Sequence, residues 1–182
     1  MNVRVLLSAC VIAFALTACA GAHALRVTDA SLPRALPEAG PVNVHWTDPA
    51  QFTELRYSFN RHEAARGDWV VQLAEYIRDR AAKQLPPGER LDIAILDVER
   101  AGEYEYMFGP ATDIRVMRDI YPPRMRLHVR RTGADGTVIE DGERRISDIA
   151  YLTGPQPLSN TDPLRYEKRM IDRWVRRELA TR

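Results

Sequence analysis

The segment that comes closest to a catalytic motif is His62-Glu63-Ala64-Ala65-Arg66. Zinc proteases require His-Glu-x-x-His, because two histidines one helical turn apart hold the metal. Arg66 stands where the second histidine is needed, so the ligand pair is missing. The chain also has no Gly-x-Ser-x-Gly nucleophile elbow and no phosphate-binding glycine loop. We therefore predict no metal, no cofactor and no hydrolase of these types.

Four carboxylates lie close together in the chain, at Asp97, Glu99, Glu103 and Glu105. A hydrolase could use two of them as general acid and general base, namely Asp97 or Glu99 with Glu105. The competing interpretation is that these residues form a solvated acidic strand end and the loop that follows it, since carboxylates are mostly exposed.

Basic residues recur on one phase of a predicted strand. In residues 125–130 they alternate with apolar side chains, and further arginines follow the Asp135-Gly136 turn. The set consists of Arg126, His128, Arg130, Arg144 and Arg145. Because guanidinium groups bind carboxylate and phosphate oxygens bidentately, this set predicts a surface for a lipid phosphate or an acidic partner. The competing interpretation is a solvated face whose charge is balanced across the strands by acidic residues of 140–143.

A group of apolar residues falls in a predicted loop after the acidic cluster. Its members are Tyr104, Tyr106, Met107 and Phe108. Apolar loop residues either cover the core or form a contact patch for a partner, and the pattern is compatible with both.

Glu167 occupies an unusual position in the last predicted helix. At about 100° per residue it falls within the apolar stripe that includes Met170 and Trp174. An unpaired buried carboxylate is costly, so we predict an ion pair with an arginine of the segment from Arg118 to Arg124. The competing interpretation places Glu167 at the edge of the helix, where its carboxylate reaches water.

Strands and helices must position these side chains. Alternating apolar residues predict strands over residues 42–46, 91–98, 114–120, 125–130 and 137–149. An apolar stripe predicts a helix from about Asp68 to Leu85, and Asp162-Pro163 predicts the start of another. The order predicts an α+β fold, a two-layer sandwich with both helices on one face of a mostly antiparallel sheet of about five strands. Residues 47–67 are predicted to form a long connection, and the apolar residues on both phases of 91–98 predict a strand covered on both faces.

Residues 1–18 have the features of a bacterial secretion signal, with Arg4 before an apolar run too short to span a bilayer. Leu16-Thr17-Ala18-Cys19 resembles a lipobox, which implies cleavage before Cys19 and attachment of lipid to its thiol. Ala20 implies sorting to the outer membrane in the same scheme. The competing interpretation is ordinary cleavage after Ala24, which would release an unanchored chain into the periplasm.

The chain after the signal is predicted to have two regions. Residues 19–41 are rich in Ala and Pro and are predicted to be a tether, and residues 42–182 are predicted to form a single domain. The only cysteines are Cys10 and Cys19, so the domain has no thiol for catalysis and no disulfide.

The charge balance limits the choice of partners. The chain has 26 basic and 25 acidic residues, and removal of Arg4 with the signal leaves equal numbers. A neutral chain gives no reason to expect nucleic acid as a partner. The predicted partners are the membrane, through the N-terminal lipid, and either an envelope protein or an anionic lipid.

Four segments together resemble a family of uncharacterised exported proteobacterial proteins, a domain-of-unknown-function family. The segments are Asp97–Gly102, Arg115–Arg124, Ala134–Gly136 and Asp162–Lys168. The resemblance extends over about residues 42–175 and implies a single exported domain without adding a mechanism.

These observations predict a non-enzymatic envelope lipoprotein that binds another envelope component through the arginine surface or the apolar loop. A hydrolase that uses the carboxylate pair is the first alternative. A carrier of lipid or of a small ligand is the second, and it would require an apolar cavity.

Overall fold

The computed structural model describes residues 25–105, 113–153 and 160–179. Six strands lie in this part of the chain: β1 (Val42–Trp46), β2 (Arg90–Glu99), β3 (Glu103–Tyr104), β4 (Arg115–Val116), β5 (Arg124–Thr132) and β6 (Val138–Ser147). Its helices are α1 (Thr53–Tyr57), α2 (Arg61–Ala64), α3 (Trp69–Ala82) and α4 (Arg165–Leu179), and a 3-10 turn covers Pro49–Gln51. None of these helices is long and apolar enough to cross a membrane.

Within the described residues, four strands form the main sheet in the order β1-β2-β5-β6. Strands β1 and β2 are parallel, whereas the β2–β5 and β5–β6 pairs are antiparallel. Parallel neighbours need a crossover connection, and α3 lies in the segment that joins β1 to β2. The β5–β6 hairpin closes at the predicted turn, where Asp135 accepts a hydrogen bond from the Thr137 amide at 3.0 Å.

Local signals mark the end of α3 and the start of α4. Helix α3 ends before Pro86 and Pro87, which cannot continue a helix. Before α4, the Asp162 carboxylate accepts the Leu164 amide at 2.8 Å, which satisfies a free N–H near the start of the helix. The apolar stripe of each helix faces the main sheet and forms one side of the core.

One hydrophobic core joins α3 and α4 to one face of the main sheet. Its largest fully buried apolar side chains include Phe52, Leu73, Ile77, Ile93, Leu127, Ile171 and Trp174. The predicted α+β sandwich is confirmed: two layers, helices against a mostly antiparallel sheet. It differs from the prediction in having four strands in the main sheet as described, with a separate pair, β3–β4.

Two segments differ from their predicted structure. The predicted connection 47–67 contains α1 and α2 as well as the 3-10 turn. The predicted strand 114–120 is reduced to β4, which pairs with β3 outside the main sheet. Local periodicity does not reveal such short elements, because two to five residues are too few to define a period.

The described part of the predicted tether, residues 25–41, lies against the domain. The Val27 amide donates to the carbonyl of Ala65 at 2.9 Å, and Val27 is buried in the main core. A β-bridge joins Ala35 to His45 of β1. Residues 25–41 therefore pack against the domain, with Val27 buried in the main core and Leu36 partly buried against it.

The second face of the main sheet is open within the described residues. Ala94 and Leu96 of β2 are half-buried on it, whereas Arg126 and Arg145 on β5 and β6 are exposed. The prediction that both faces of β2 are covered is therefore wrong. Small and aliphatic residues are tolerated there because the polar side chains of neighbouring strands surround them.

Candidate functional site

A β-bulge places two carboxylates on the open face of the sheet. The register shifts between Ile95 and Asp97, so the buried phase of β2 passes from Ile95 to Val98. Without the bulge, strict alternation would direct Asp97 into the core. The shift instead sets Asp97 opposite Arg126, and Glu99 opposite Arg124, on the open face.

Two arginines lie directly opposite each other on this face. Arg126 of β5 is the register partner of Arg145 of β6. Within the described part of the chain neither guanidinium makes a hydrogen bond or an ion pair. Like charges at directly opposed positions destabilise a sheet. An anion bound between the two guanidinium groups would attract both of them and so offset their repulsion.

The two arginines line a cleft of about 400 Å³ on the open face. Its wall consists of Asp97, Glu99, Arg124, Met125, Arg126, Arg145, Ile146 and Ser147. Three basic and two acidic side chains therefore meet here, with a serine hydroxyl beside them. The same cleft contains both strand carboxylates of the predicted hydrolase pair.

Those two carboxylates are already occupied. Asp97 accepts the Thr53 amide at 2.6 Å and the Thr53 hydroxyl at 2.7 Å, which fixes the first residue of α1. Glu99 forms an ion pair with Arg124 at 3.0 Å. Both acids therefore have partners, and the cationic groups left for a ligand are Arg126 and Arg145.

Glu105, the third carboxylate of the hydrolase hypothesis, does not line this cleft. It accepts hydrogen bonds from Arg118 at 2.7 Å and from the Tyr121 hydroxyl at 3.1 Å. The structure thus brings Asp97 and Glu99 together and leaves Glu105 in a separate contact. Within residues 25–105, 113–153 and 160–179, no group of three or more His, Cys, Asp or Glu side chains is placed to hold a metal ion.

The remaining members of the basic set separate into two groups. His128 and Arg130 share the open face with Arg126, and both contact Asp141, at 3.1 and 3.9 Å. Arg144 lies on the helix side instead and pairs with Glu140 and Glu178. Its inclusion in the anion surface is therefore wrong, because consecutive residues of a strand point to opposite faces.

The predicted apolar contact loop is corrected at its first residue. Tyr104 belongs to β3 and is buried, and the Arg115 guanidinium lies 5.1 Å from the centre of its ring. It covers the core rather than offering a contact patch. Tyr106, Met107 and Phe108 lie outside the described residues.

A buried ion cluster lies beside β3 that the sequence did not predict. Glu54 of α1 is 4 % exposed and receives hydrogen bonds from both Arg100, at 2.9 Å, and Arg115, at 2.7 Å. Burial alone would raise the pKa of Glu54, but the charges and hydrogen bonds of Arg100 and Arg115 outweigh it and lower the pKa. Arg100 also lies 4.7 Å from the ring centre of Trp69. No local signal identifies this cluster, because its members are far apart in sequence.

Glu167 is buried in the apolar stripe of α4, as its position indicates, but its predicted partners are wrong. It is 1 % exposed, and one carboxylate oxygen accepts the Ala101 amide at 2.7 Å. The other oxygen has no hydrogen-bond partner among the described residues. Arg118 pairs with Glu105 and Arg124 with Glu99, since both arginines lie on the more exposed side of their segments. Burial raises the pKa of Glu167 above its usual range.

Comparison with known proteins assigns a family. The model of the family described as "Protein of unknown function (DUF3016)" matches residues 40–177. The chain belongs to this family. No curated protein and no solved structure shows a significant match. The DUF3016 segment contains the open-face cleft, the Glu54 cluster and Glu167, whereas Arg26 precedes it.

The buried carboxylate of the DUF3016 segment makes stability depend on pH in a definite direction. Because the folded pKa of Glu167 is raised, the native state binds the proton more tightly than the unfolded chain. Its contribution to stability is most favourable at low pH and is lost as pH rises through the folded pKa. Urea unfolding of Glu167→Gln between about pH 5 and about pH 8 should lack this component. The free energy of unfolding of the variant, relative to that of the wild type, should therefore increase as pH rises.

Glu75, which is exposed on α3, supplies the matched control. Glu75→Gln should follow the wild-type pH dependence, because this carboxylate is exposed to water in the folded as well as in the unfolded chain. If the Glu167→Gln and wild-type curves are parallel, the buried carboxylate does not titrate as its burial requires.

Proposed function

We propose that this protein is an exported envelope lipoprotein that binds a carboxylate- or phosphate-bearing envelope component and performs no catalysis. The ligand site is the open-face cleft between β5 and β6. The family assignment is compatible with this proposal but carries no activity that would test it.

The observation that supports the proposal most directly is the unpaired Arg126–Arg145 juxtaposition. Two guanidinium groups on adjacent strands offer several N–H donors to one oxyanion, and bidentate charge-assisted bonds are the strong ones. Asp97 lies opposite Arg126 on the β2 side, but its carboxylate is engaged by Thr53 and makes no ion pair with Arg126 in the described structure. A binding function accounts for a pair that costs stability in the free protein.

The chemistry of the cleft favours binding over hydrolysis. A general acid and base need free carboxylates that converge on a substrate. Asp97 is engaged by Thr53 and Glu99 by Arg124, and Glu105 is held elsewhere. The cleft also lacks the predominantly apolar lining that a lipid carrier requires, because five of the eight residues that line it are charged.

The proposed location comes from the start of the chain. The lipobox-like Leu16–Cys19 segment supports acylation of Cys19 after cleavage of residues 1–18, and Ala20 supports the outer membrane. Intact mass of the protein extracted from envelopes distinguishes the two processing routes. An acylated chain that begins at Cys19 supports the lipoprotein, and an unmodified chain that begins at Leu25 excludes it.

Titration of the mature protein with inorganic phosphate and with acetate, followed by NMR of arginine side-chain Nε–H groups, tests the ligand site. We expect phosphate to shift the Arg126 and Arg145 signals. Arg126→Gln with Arg145→Gln should weaken phosphate binding by about tenfold or more, since each charge-assisted bond contributes about 1.5–3 kcal/mol. The same double variant should be at least as stable as the wild type, because the like-charge contact is gone.

The matched control removes two other exposed arginines that make no ion pair in the described structure, Arg176 and Arg177 of α4. Arg176→Gln with Arg177→Gln should leave phosphate binding unchanged. Equal loss of binding in both double variants would show that phosphate responds only to net charge and would overturn the proposed site.

A further inference from the structure

A second basic surface lies near the amino-terminal end of the described chain. It is a groove of about 700 Å³ between residues 25–28 and the α1–α2 segment. Its wall includes Arg26, Arg56, Tyr57, Arg61 and His62. Three arginines line it and no carboxylate does, so its charge is more one-sided than that of the open-face cleft.

The arginines of this groove have no acidic partner within the described residues. Arg26 contacts the His62 ring, and Arg61 donates to the carbonyl of Arg56 at 2.9 Å. The Arg56 guanidinium lies 5.2 Å from the ring centre of Tyr57. None of these contacts neutralises a positive charge, so all three guanidinium charges remain available to an anionic partner.

Large exposed apolar side chains line the groove or neighbour its lining residues in the chain. Tyr57 is 66 % exposed and Phe59 is 73 % exposed, and both belong to or follow α1. Leu25, which immediately precedes Arg26 in the chain, is 57 % exposed. Aromatic side chains next to arginines fit the boundary between lipid headgroups and acyl chains, where rings enter the apolar layer and guanidinium groups meet phosphates.

The position of the groove along the chain favours a membrane surface as its partner. Arg26 in its wall is seven residues after Cys19, and an extended chain advances at most about 3.6 Å per residue. If Cys19 carries lipid, the groove must therefore stay within about 25 Å of the membrane surface. An acyl anchor would therefore keep Arg26 close to the headgroups whichever way the domain is turned.

We propose that the groove formed by Arg26, Arg56 and Arg61, with Tyr57 and Phe59 beside it, docks the domain onto an anionic phospholipid surface. The orientation of the domain rests on the proposed lipid attachment at Cys19, but the binding itself does not. The surface adds a polybasic contribution to the acyl anchor and presents the rest of the domain to the periplasmic space.

The test uses an unacylated chain, so that its outcome is independent of lipidation. The protein is produced from residue 19 onward with Cys19→Ser, which retains the described core between Val27 and Leu179. Its co-sedimentation is measured with vesicles of equal parts phosphatidylcholine and phosphatidylglycerol, and with vesicles of phosphatidylcholine alone. We expect binding to the anionic vesicles only, with release as salt is added.

Arg56→Gln with Arg61→Gln should reduce the partition coefficient by about tenfold or more, since each basic residue near an anionic surface strengthens binding about fivefold. Both residues are exposed, so the fold should be retained. Tyr57→Ser with Phe59→Ser should also weaken binding, and the remaining binding should be more sensitive to salt.

Arg176→Gln with Arg177→Gln is the matched control, because it removes the same charge from the exposed side of α4, away from both proposed sites. It should leave vesicle binding unchanged, as the Arg56 and Arg61 variant should leave phosphate binding in the cleft unchanged. Equal loss of vesicle binding in both double variants overturns the proposal. Absence of binding to either vesicle, or equal binding to both, also overturns the lipid proposal. A protein would then be the favoured partner of the groove.

Discussion

Replacement of Glu54 by alanine is expected to lower the free energy of unfolding by about 3–5 kcal/mol. The substitution leaves Arg100 and Arg115, each with a side chain that is 14 % exposed, without the carboxylate that neutralises them. Removal of one partner of a buried ion pair is far more destabilising than removal of the whole pair. Urea unfolding at neutral pH, followed by circular dichroism, measures the effect.

Two further variants separate the charge cluster from ordinary loss of contacts. Glu75→Ala removes an exposed carboxylate from α3 and should change stability by about 0.5 kcal/mol or less. Glu54→Ala combined with Arg115→Met should recover part of the loss, because one of the two stranded charges is gone. If Glu54→Ala costs no more than Glu75→Ala, water or other groups already satisfy the two guanidinium groups.

The Glu54 cluster also predicts a pH dependence opposite in sign to that of Glu167. The folded pKa of Glu54 lies below its ordinary value of 4.5, so the native state holds the proton less tightly than the unfolded chain. The stability that the cluster provides is complete at neutral pH and is lost as pH falls from about that ordinary value through the folded pKa. Lowering the pH therefore weakens the attraction of Glu54 for its arginines, while it removes the cost of a buried charge at Glu167.

Gly102→Ala is the second substitution expected to have a large effect, with a loss of about 2–4 kcal/mol. Gly102 has a φ of 77°, and a Cβ there would lie 2.7 Å from the Val116 carbonyl oxygen and 2.6 Å from the Met117 sulfur. The methionine side chain can move, but the Val116 carbonyl belongs to β4 and can move only if the β3–β4 pair is disturbed. Thermal unfolding of the variant measures the loss.

Gly136 is the matched control for backbone conformation. Its φ is 84°, and a Cβ there would have no other heavy atom within 4 Å. Gly136→Ala should therefore cost about 1–2 kcal/mol, the conformational part alone. A loss at Gly102 no larger than that at Gly136 would mean that β4 moves aside freely and that the close approach has no structural role.

The relation between sequence and fold is clearest where a single element decides the outcome. The alternation in β5 predicted which side chains face the core, and the apolar stripe of α4 predicted either burial of Glu167 or a place at the helix edge, of which the structure shows burial. Both predictions rest on the period of one element, which is present in consecutive residues. The Asp135-Gly136 turn and the Asp162-Pro163 helix start were likewise predictable, because turns and caps depend on local conformation and local hydrogen bonds.

The pairing of side chains was not predictable in the same way. The phase of β2 changes at a bulge after Ile95, and this decides that Asp97 faces the cleft. Glu54 meets arginines that lie 46 and 61 residues further along the chain. Both depend on how distant segments align, and residue types alone leave many alignments with similar local preferences.

The sequence alone therefore determined the fold class, the core faces of the long elements and the neutral charge balance. Tertiary structure decided which charged groups have partners: it paired Glu54, Asp97 and Glu99, and it left Arg126 and Arg145 opposed on an open face. The physical reason is that burial follows from periodicity within one element, whereas charge pairing is a property of two or more elements brought together by the core.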